Sequence, residues 1–354
     1  MSTRRWQAGL WAFVVISLLG SLAAPSCAAS VSRQGVVQRG DYLARPDVQE
    51  FLDSMVEEHD FDHDQLEKLF AQVHRQDRVL EAIARPAEAK PWKDYRPIFL
   101  TDARIEGGVD FWHANEELLA RAESEMGVAP EYVVAIIGVE TFYGQRTGSF
   151  RVLDTLTTLG FDYPPRADFF RRELEQYLLL TREETLDPLE LTGSYAGAMG
   201  KGQFISSSYR MYAVDFDGDG RRDLWGSVAD AVGSVANYFR RHGWEHGAPV
   251  TVPAAVTGSE DAHELLVSAG VKPTLSLPEL AAAGIRPAEA LGDDSESVSV
   301  IELDGANGVE YWIGFDNFYV ITRYNRSPLY AMAVHQLAQE IRRLHDERWR
   351  TATR

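Results

Sequence analysis

Apolar residues recur at three- and four-residue steps through most of the chain, the spacing of helices with one buried face. In "DVQEFLDSMVEEH" the residues Val48, Phe51, Leu52 and Met55 share a face. "DHDQLEKLFAQV" follows, with Asp62 placed as a cap and Gln65 three residues on. The pattern predicts helix over roughly 47–80. "ARPAEAKPWKDYRP" is a proline-broken connector. An amphipathic helix is predicted from Asp110 to Met126, closed by Gly127. "APEYVVAIIGVETFYG" puts Pro130 at a helix start and Gly144 at its end. That segment is apolar almost all round, so it should be buried on every side. "RADFFRRELEQYLLLTRE" and "SVADAVGSVANYFRRHGW" also read as helices. From about Ala248 the period shortens. "PVTVPAAV" has strand character, and "SLPELAAAGI" suits a short helix. "SVSVIELDGANGVEYWIGFDNFYVITRYN" reads as strands with a turn at Asp304–Gly308. "SPLYAMAVHQLAQEIRRLHDERW" returns to helix at Ser327-Pro328. The predicted class is α+β, mainly helical, with a small β-rich insert before the C-terminal helix.

Composition narrows the possibilities. The 354 residues are 45% hydrophobic and 25% charged, the balance of a globular protein with a sizeable core. The formal net charge is −18. Nucleic-acid binding needs clustered Lys and Arg against phosphates, and no long basic run occurs, so no nucleic-acid partner is expected. The first 29 residues, "MSTRRWQAGLWAFVVISLLGSLAAPSCAA", have a basic start, a short apolar stretch and a small-residue exit. They read as a secretory signal peptide, which places the mature chain in the periplasm. The only cysteine, Cys27, lies in the cleavage region, so the mature chain has no disulfide. Two readings of Cys27 stand: removal by cleavage near Ala28 or Ala29, or lipidation, which would attach the protein to the outer membrane.

The candidate chemistry starts at Glu140. It sits late in the buried helix among Ile136, Ile137, Val139, Phe142 and Tyr143. Burial raises a carboxyl pKa because the charged form loses its solvation, and a carboxyl group kept protonated can serve as a general acid. At this point an ion pair with Arg146 or Arg151, or a position facing out, is equally open. A second cluster is "GSYAGAMGKGQFISSSY". Its glycines allow close backbone approach, and Ser194, Tyr195 and Gln203 offer hydrogen bonds. In "FYVITRYNRSPLY", Tyr319, Tyr324, Asn325 and Tyr330 combine aromatic faces with polar ends, a surface that suits sugars. Ordinary packing explains each cluster equally well when taken alone. There is no G-x-S-x-G, H-E-x-x-H or Walker A motif, and no organic cofactor is expected.

"IIGVETFYG", "GSYAGAMGKGQFISSSY", "DLWGSVADAVGSVANYFRRHGW" and "NFYVITRYNRSPLYAMAVHQLA" together resemble the membrane-bound lytic murein transglycosylase B family. The likeness runs from about Asp47 to Leu344. It implies a lysozyme-like catalytic core over 131–247, a helical region over 30–130 leading into it, a β-rich domain over 248–320, and a C-terminal segment, 321–354, that returns to the core. It implies cleavage of the MurNAc–GlcNAc β-1,4 bond of peptidoglycan without water, leaving 1,6-anhydro-MurNAc ends, with Glu140 as the single acid and then base. Ser194, Gln203, Tyr238, Tyr324, Asn325 and Tyr330 match positions that line the family's sugar site. Arg166 falls in a stretch reading "DYPPR", where Pro165 replaces the first arginine of the family's pattern. Glycan strands are the expected partner, wall-synthesis enzymes further candidates, and a monomer the expected state. Hydrolysis by a lysozyme-type muramidase is the nearest alternative, and a non-catalytic wall-binding protein the second.

"DFDGDGRRDLWG", residues 215–226, opens like an EF-hand, with Asp215, Asp217 and Asp219 at alternate positions and Gly220 at the turn. The twelfth position, where that loop has Glu, is Gly226. The resemblance implies a longer loop, 215–230, holding a structural Ca²⁺ through the three aspartates, the carbonyl of Arg221 and a closing Asp230. The span to Asp230 is one residue longer than the family's, which keeps Asp223 as a second closing candidate.

Overall fold

The computed structural model describes residues 40–84, 90–258, 262, 264–266, 270–289 and 297–352. The expected signal peptide and Cys27 lie outside these. Within them, no helix is long and apolar enough to cross a membrane.

The helix Pro130–Thr141 forms the axis of the main core, with all 12 of its residues buried. A helix that is apolar all round must be enclosed all round. Helices Asp102–Ala114, Glu116–Met126, Val228–Arg241 and Pro328–Ala352 surround it. The last of these contributes Tyr330, Ala331, Val334, Leu337, Ala338 and Ile341 to the core at steps of one, three and four residues, so one continuous face is buried. A second layer pairs helix Val152–Asp162 with Ala167–Glu183, and the short helix Ser206–Tyr212 packs on the latter. The N-terminal segment is clamped to this layer. Tyr42 donates to Asp162 at 2.7 Å and Arg45 pairs with the same carboxylate at 2.5 Å. Helices Pro46–His59, His63–Phe70 and Asp77–Ile83 fill the predicted helical stretch, and Asp62 accepts the Gln65 amide as the expected cap.

The β-rich part is an antiparallel five-stranded sheet in the order 275–276, 297–305, 308–314, 251–256, 285–287. The hairpin turns where Gly305 faces Gly308, inside the predicted turn. Alternation assigns its two faces. Val298, Val300 and Ile313 join Leu277, Leu280, Ile285 and Phe315 in a small separate core. Ile301 and Leu303 turn the other way, onto the main core.

Three expectations change. The helix predicted over Asp110–Met126 is two helices, Asp102–Ala114 and Glu116–Met126. Asn115 divides them, its side chain donating to the Phe111 carbonyl at 2.8 Å in competition with the helical ladder. The connector contains a helix, Trp92–Phe99, because Trp92, Tyr95 and Phe99 are all buried on one face, and Pro97 falls in its last turn. The predicted strand over "DNFYVITRY" is a helix, Asp316–Tyr324. Its aromatic and β-branched residues favour strand locally, yet Asn317, Phe318, Val320 and Ile321 bury at helical spacing, and tertiary packing overrides the propensity.

Candidate active site

The axial helix ends directly after Glu140, and its ending fixes where that side chain points. Phe142 and Tyr143 both take positive φ, 51° and 61°, which non-glycine residues adopt only when held there. Three contacts hold them. Their amides donate back to Gly138 and Ile137 at 3.1 and 3.2 Å. The Tyr143 hydroxyl donates to the Arg104 carbonyl at 2.6 Å. Arg104 itself is buried, donating Nε to the Gly138 carbonyl at 3.1 Å with its guanidinium against the rings of Phe99 and Phe142. A cation is thus set against the carbonyl end of the helix, where it is favourable. Gly138 makes room for this ending, because a Cβ there would meet the Tyr143 hydroxyl at 2.6 Å.

Glu140 is 7% exposed. Its Oε1 accepts a hydrogen bond from the Tyr330 hydroxyl at 2.5 Å. Tyr330 is completely buried at the start of the last helix. The open side of the carboxyl group faces a cavity of about 310 Å³ lined by Gln203, Tyr238, Tyr324, Asn325 and Arg166 among others. Six expected site residues, from five separate stretches of chain, therefore share one concavity. Glu140 is the only carboxylate among the described residues lining it.

The cavity wall is aromatic and rigid. Tyr324 donates to the Gly202 carbonyl at 2.5 Å and Tyr238 to the Arg323 carbonyl at 2.6 Å. Their rings lie 4.7 Å apart, and Tyr238 also stacks on His242 at 4.1 Å. Burial, then the nearby Glu140 carboxylate, push the Tyr324 and Tyr330 phenols well above their ordinary range, so both stay protonated donors. Gln203 sits at φ 52° with Nε2 donating to the Gly200 and Thr147 carbonyls at 2.9 and 3.1 Å. Both amide protons are spent, and the buried Oε1 has no hydrogen-bond partner among the described residues, so the side chain offers an acceptor.

Two expected site residues stand elsewhere. Tyr330 lies behind Glu140, not on the cavity wall. Ser194 is 1% exposed, and its Oγ accepts the amides of Ala196 and Ala198 at 3.3 and 3.0 Å. It shapes the glycine-rich hairpin that carries Gln203. The cavity also recruits Phe169, Ser207, Met211, Tyr212, His242, Arg323 and Arg326, which no local pattern singled out. Arg104, the cap of the acid-bearing helix, was likewise invisible.

The aspartate loop stands apart from the cavity. Carboxylate oxygens of Asp215, Asp217 and Asp219 converge within 4.8 Å of one another. Asp215 accepts the amides of Gly218 and Gly220 at 2.7 and 2.8 Å, and the Gly220 contact leads in holding its pKa down. Asp219 accepts the Arg221 amide at 2.9 Å, and Asp217 the Ser227 hydroxyl at 2.7 Å. Asp230 is not one of the converging three. It is buried at the base of the loop, taking the amides of Phe216 and Asp223, each at 2.7 Å. Asp223 turns away to the amides of Trp225 and Gly226 at 2.9 and 2.8 Å.

The chain has close relatives. The family model of the "Transglycosylase SLT domain" matches residues 44–339. Membrane-bound lytic murein transglycosylase B of Escherichia coli (strain K12) is 47% identical over 312 residues, 85% of this chain and 84% of the relative. The crystal structure of soluble lytic transglycosylase SltB1 from Pseudomonas aeruginosa superposes with a TM-score of 0.80 at 56% identity, covering 85% of this chain and all of that one. The Escherichia coli lytic transglycosylase Slt35, solved at 2.1 Å in complex with calcium, gives 0.79 at 46% identity, covering 89% and 99%. These neighbours share the lysozyme-like, mainly helical α+β fold described above. The chain therefore belongs to the transglycosylase SLT domain family and is a lytic transglycosylase of peptidoglycan.

Proposed function

We propose that the enzyme cleaves the MurNAc–GlcNAc β-1,4 bond with Glu140 acting alone, first as acid and then as base, and releases 1,6-anhydro-MurNAc ends. The observation that carries this reading is the single carboxylate in the cavity. Direct displacement and water activation each need a second carboxylate across the bond. With one, the substrate supplies the missing group. Glu140 donates its proton to the departing GlcNAc oxygen as the bond to the MurNAc anomeric carbon breaks. The MurNAc 2-acetamido carbonyl oxygen bonds to that carbon and shares the positive charge. The Glu140 carboxylate then takes the proton of the MurNAc 6-hydroxyl, whose oxygen displaces the acetamido oxygen and closes the 1,6 ring. The acid is restored and no water is consumed. An attacking group on the same sugar has a high effective concentration, which favours it over water.

Tyr330 holds Oε1 and so orients the carboxyl group. The Gln203 acceptor suits an acetamido N–H or a sugar hydroxyl, Asn325 an acetamido group, and Tyr238 and Tyr324 supply faces for the rings. The test is the product. Digestion of sacculi should release muropeptides lighter by one water than their reducing-end counterparts. Reducing-end MurNAc as the main product would instead establish hydrolysis.

The aspartate loop fits a structural Ca²⁺. Three carboxylates converge there, and a hard cation takes oxygen ligands of this kind. Asp215, Asp217 and Asp219 would hold it with the carbonyl of Arg221, and Asp230 closes the loop behind them. The likeness to a membrane-bound relative, with the leader-like residues 1–29, supports an envelope location in the periplasm. Peptidoglycan strands are the partner this implies.

A further inference from the structure

The turn that carries Gln203 is held from several directions. Met199 and Phe204 exchange amide–carbonyl bonds, both at 2.9 Å, and close residues 200–203 into a four-residue turn. Gly200 and Gln203 take positive φ at its two ends, 70° and 52°. Three consecutive carbonyls of the turn are each taken by a side chain. Gly200 accepts from the Gln203 side-chain amide at 2.9 Å, Lys201 from the Thr141 hydroxyl at 2.8 Å, and Gly202 from the Tyr324 hydroxyl at 2.5 Å. Thr141 follows Glu140 directly, so one of these bonds ties the turn to the end of the acid-bearing helix.

Lys201 fastens the turn from outside the cavity, which it does not line. Its amide donates to the Leu224 carbonyl at 2.8 Å, and its ammonium donates to the carbonyl of Trp225. Trp225 is itself anchored, its indole N–H donating to the Thr192 carbonyl at 2.9 Å. The Lys201 stem runs beside Gly144, where the chain leaves the axial helix: a Cβ on Gly144 would stand 3.2–3.4 Å from three of its methylene carbons. A surface lysine lays down its stem and keeps its head in water. Here the head is drawn in as well. Desolvation lowers its pKa, offset in part by Asp223, so the charge is held where it is costly. We propose that Lys201 is a positioning residue for glycan cleavage, its ammonium locking the 200–203 turn so that the Gln203 oxygen keeps its place relative to Glu140. Without the ammonium the turn keeps its backbone bonds but is free to tilt, and Gln203, two residues on, tilts with it. The inference rests on the reading above in which Gln203 meets the glycan.

The test is a double-mutant cycle on kcat/KM with soluble glycan strands. K201M keeps the stem and removes the charge, and Q203A removes the acceptor. All rates are scaled to the folded fraction, read by circular dichroism. Misplacing a group that meets the substrate by about 1 Å lowers the rate by up to about a hundredfold, so K201M should lose about tenfold and Q203A at least as much. Because Lys201 acts through Gln203, the double variant should match Q203A alone within about twofold. A lysine that only supported the fold would instead multiply the two losses. That multiplied loss would overturn the inference, as would a K201M within about twofold of the unaltered protein or one that does not fold. A Q203A as active as the unaltered protein would overturn it too, by removing the group through which Lys201 acts. The anhydro-MurNAc reading fails separately, through reducing-end MurNAc in the digests of the unaltered protein, whatever the cycle gives.

Discussion

Glu140 stands in the last turn of a buried helix, and its neighbours divide the work of holding it. Tyr330 is the contact to remove first, because its hydroxyl bonds the carboxyl group while its own ring does not line the cavity. Loss of one hydrogen bond to a charged group costs about 1.5–3 kcal/mol. Tyr330→Phe should therefore lower kcat by roughly tenfold to a hundredfold with KM little changed, in steady-state assays on soluble glycan strands. An unchanged kcat would remove Tyr330 from the account. Glu140 was legible because a carboxylate inside an all-apolar helix is costly enough to need a reason. Gln203, Tyr324, Asn325 and Tyr330 stood out as polar and aromatic clusters that ordinary packing explained equally well, and Tyr238 emerged only with the family resemblance. Arg104, Phe169, Tyr212 and His242 were not legible at all: each gains its role from a contact with a distant segment, and no spacing along the chain encodes that.

Helices set the distances between these residues, and two of them make separate predictions. On the axial helix, Gly138→Ala would drive a methyl group into the Tyr143 hydroxyl. Overpacking of this kind costs about 1–3 kcal/mol, to be read from chemical unfolding, and it should disturb activity because the same turn places Glu140. On the last helix, His335 is half-buried beside the Tyr132 hydroxyl at 2.9 Å, and desolvation holds its pKa down to about 4. The sign follows from proton counting. Between the ordinary value near 6.5 and about 4, the unfolded chain binds a proton that the fold refuses. Stability present above the upper value is lost as pH falls through that window, by up to about 3 kcal/mol. His335→Gln should flatten the dependence of the unfolding free energy on pH between about 7 and 4. An unchanged slope would assign the acid sensitivity elsewhere. At this scale the sequence was readable where one face was apolar and the ends carried caps, as at Pro130 and Asp62. It misled at Asp316–Tyr324, where local β-propensity and tertiary burial disagree, and at Asn115, where one polar side chain splits a helix.

Across the whole molecule, two clusters of unlike chemistry sit on one frame: a cavity with a single acid, and an exposed loop with three converging aspartates. Carboxylates this close repel until a cation joins them, and a ligand bound by the folded state alone stabilises it by mass action. Calcium at a hundredfold excess over its dissociation constant should stabilise the protein by about 2.7 kcal/mol relative to chelator. The melting temperature should rise by several degrees, and Asp217→Asn should shrink the rise. A melting curve indifferent to calcium would leave the loop as a polar turn. The central claim is the chemistry of the single carboxylate. It is tested most directly by mass analysis of the products released from sacculi by the unaltered enzyme beside Glu140→Gln. The account predicts anhydro-MurNAc ends from the former and a loss of at least about a hundredfold in their release by the latter. Reducing-end MurNAc from the unaltered enzyme, or undiminished release by Glu140→Gln, would contradict it.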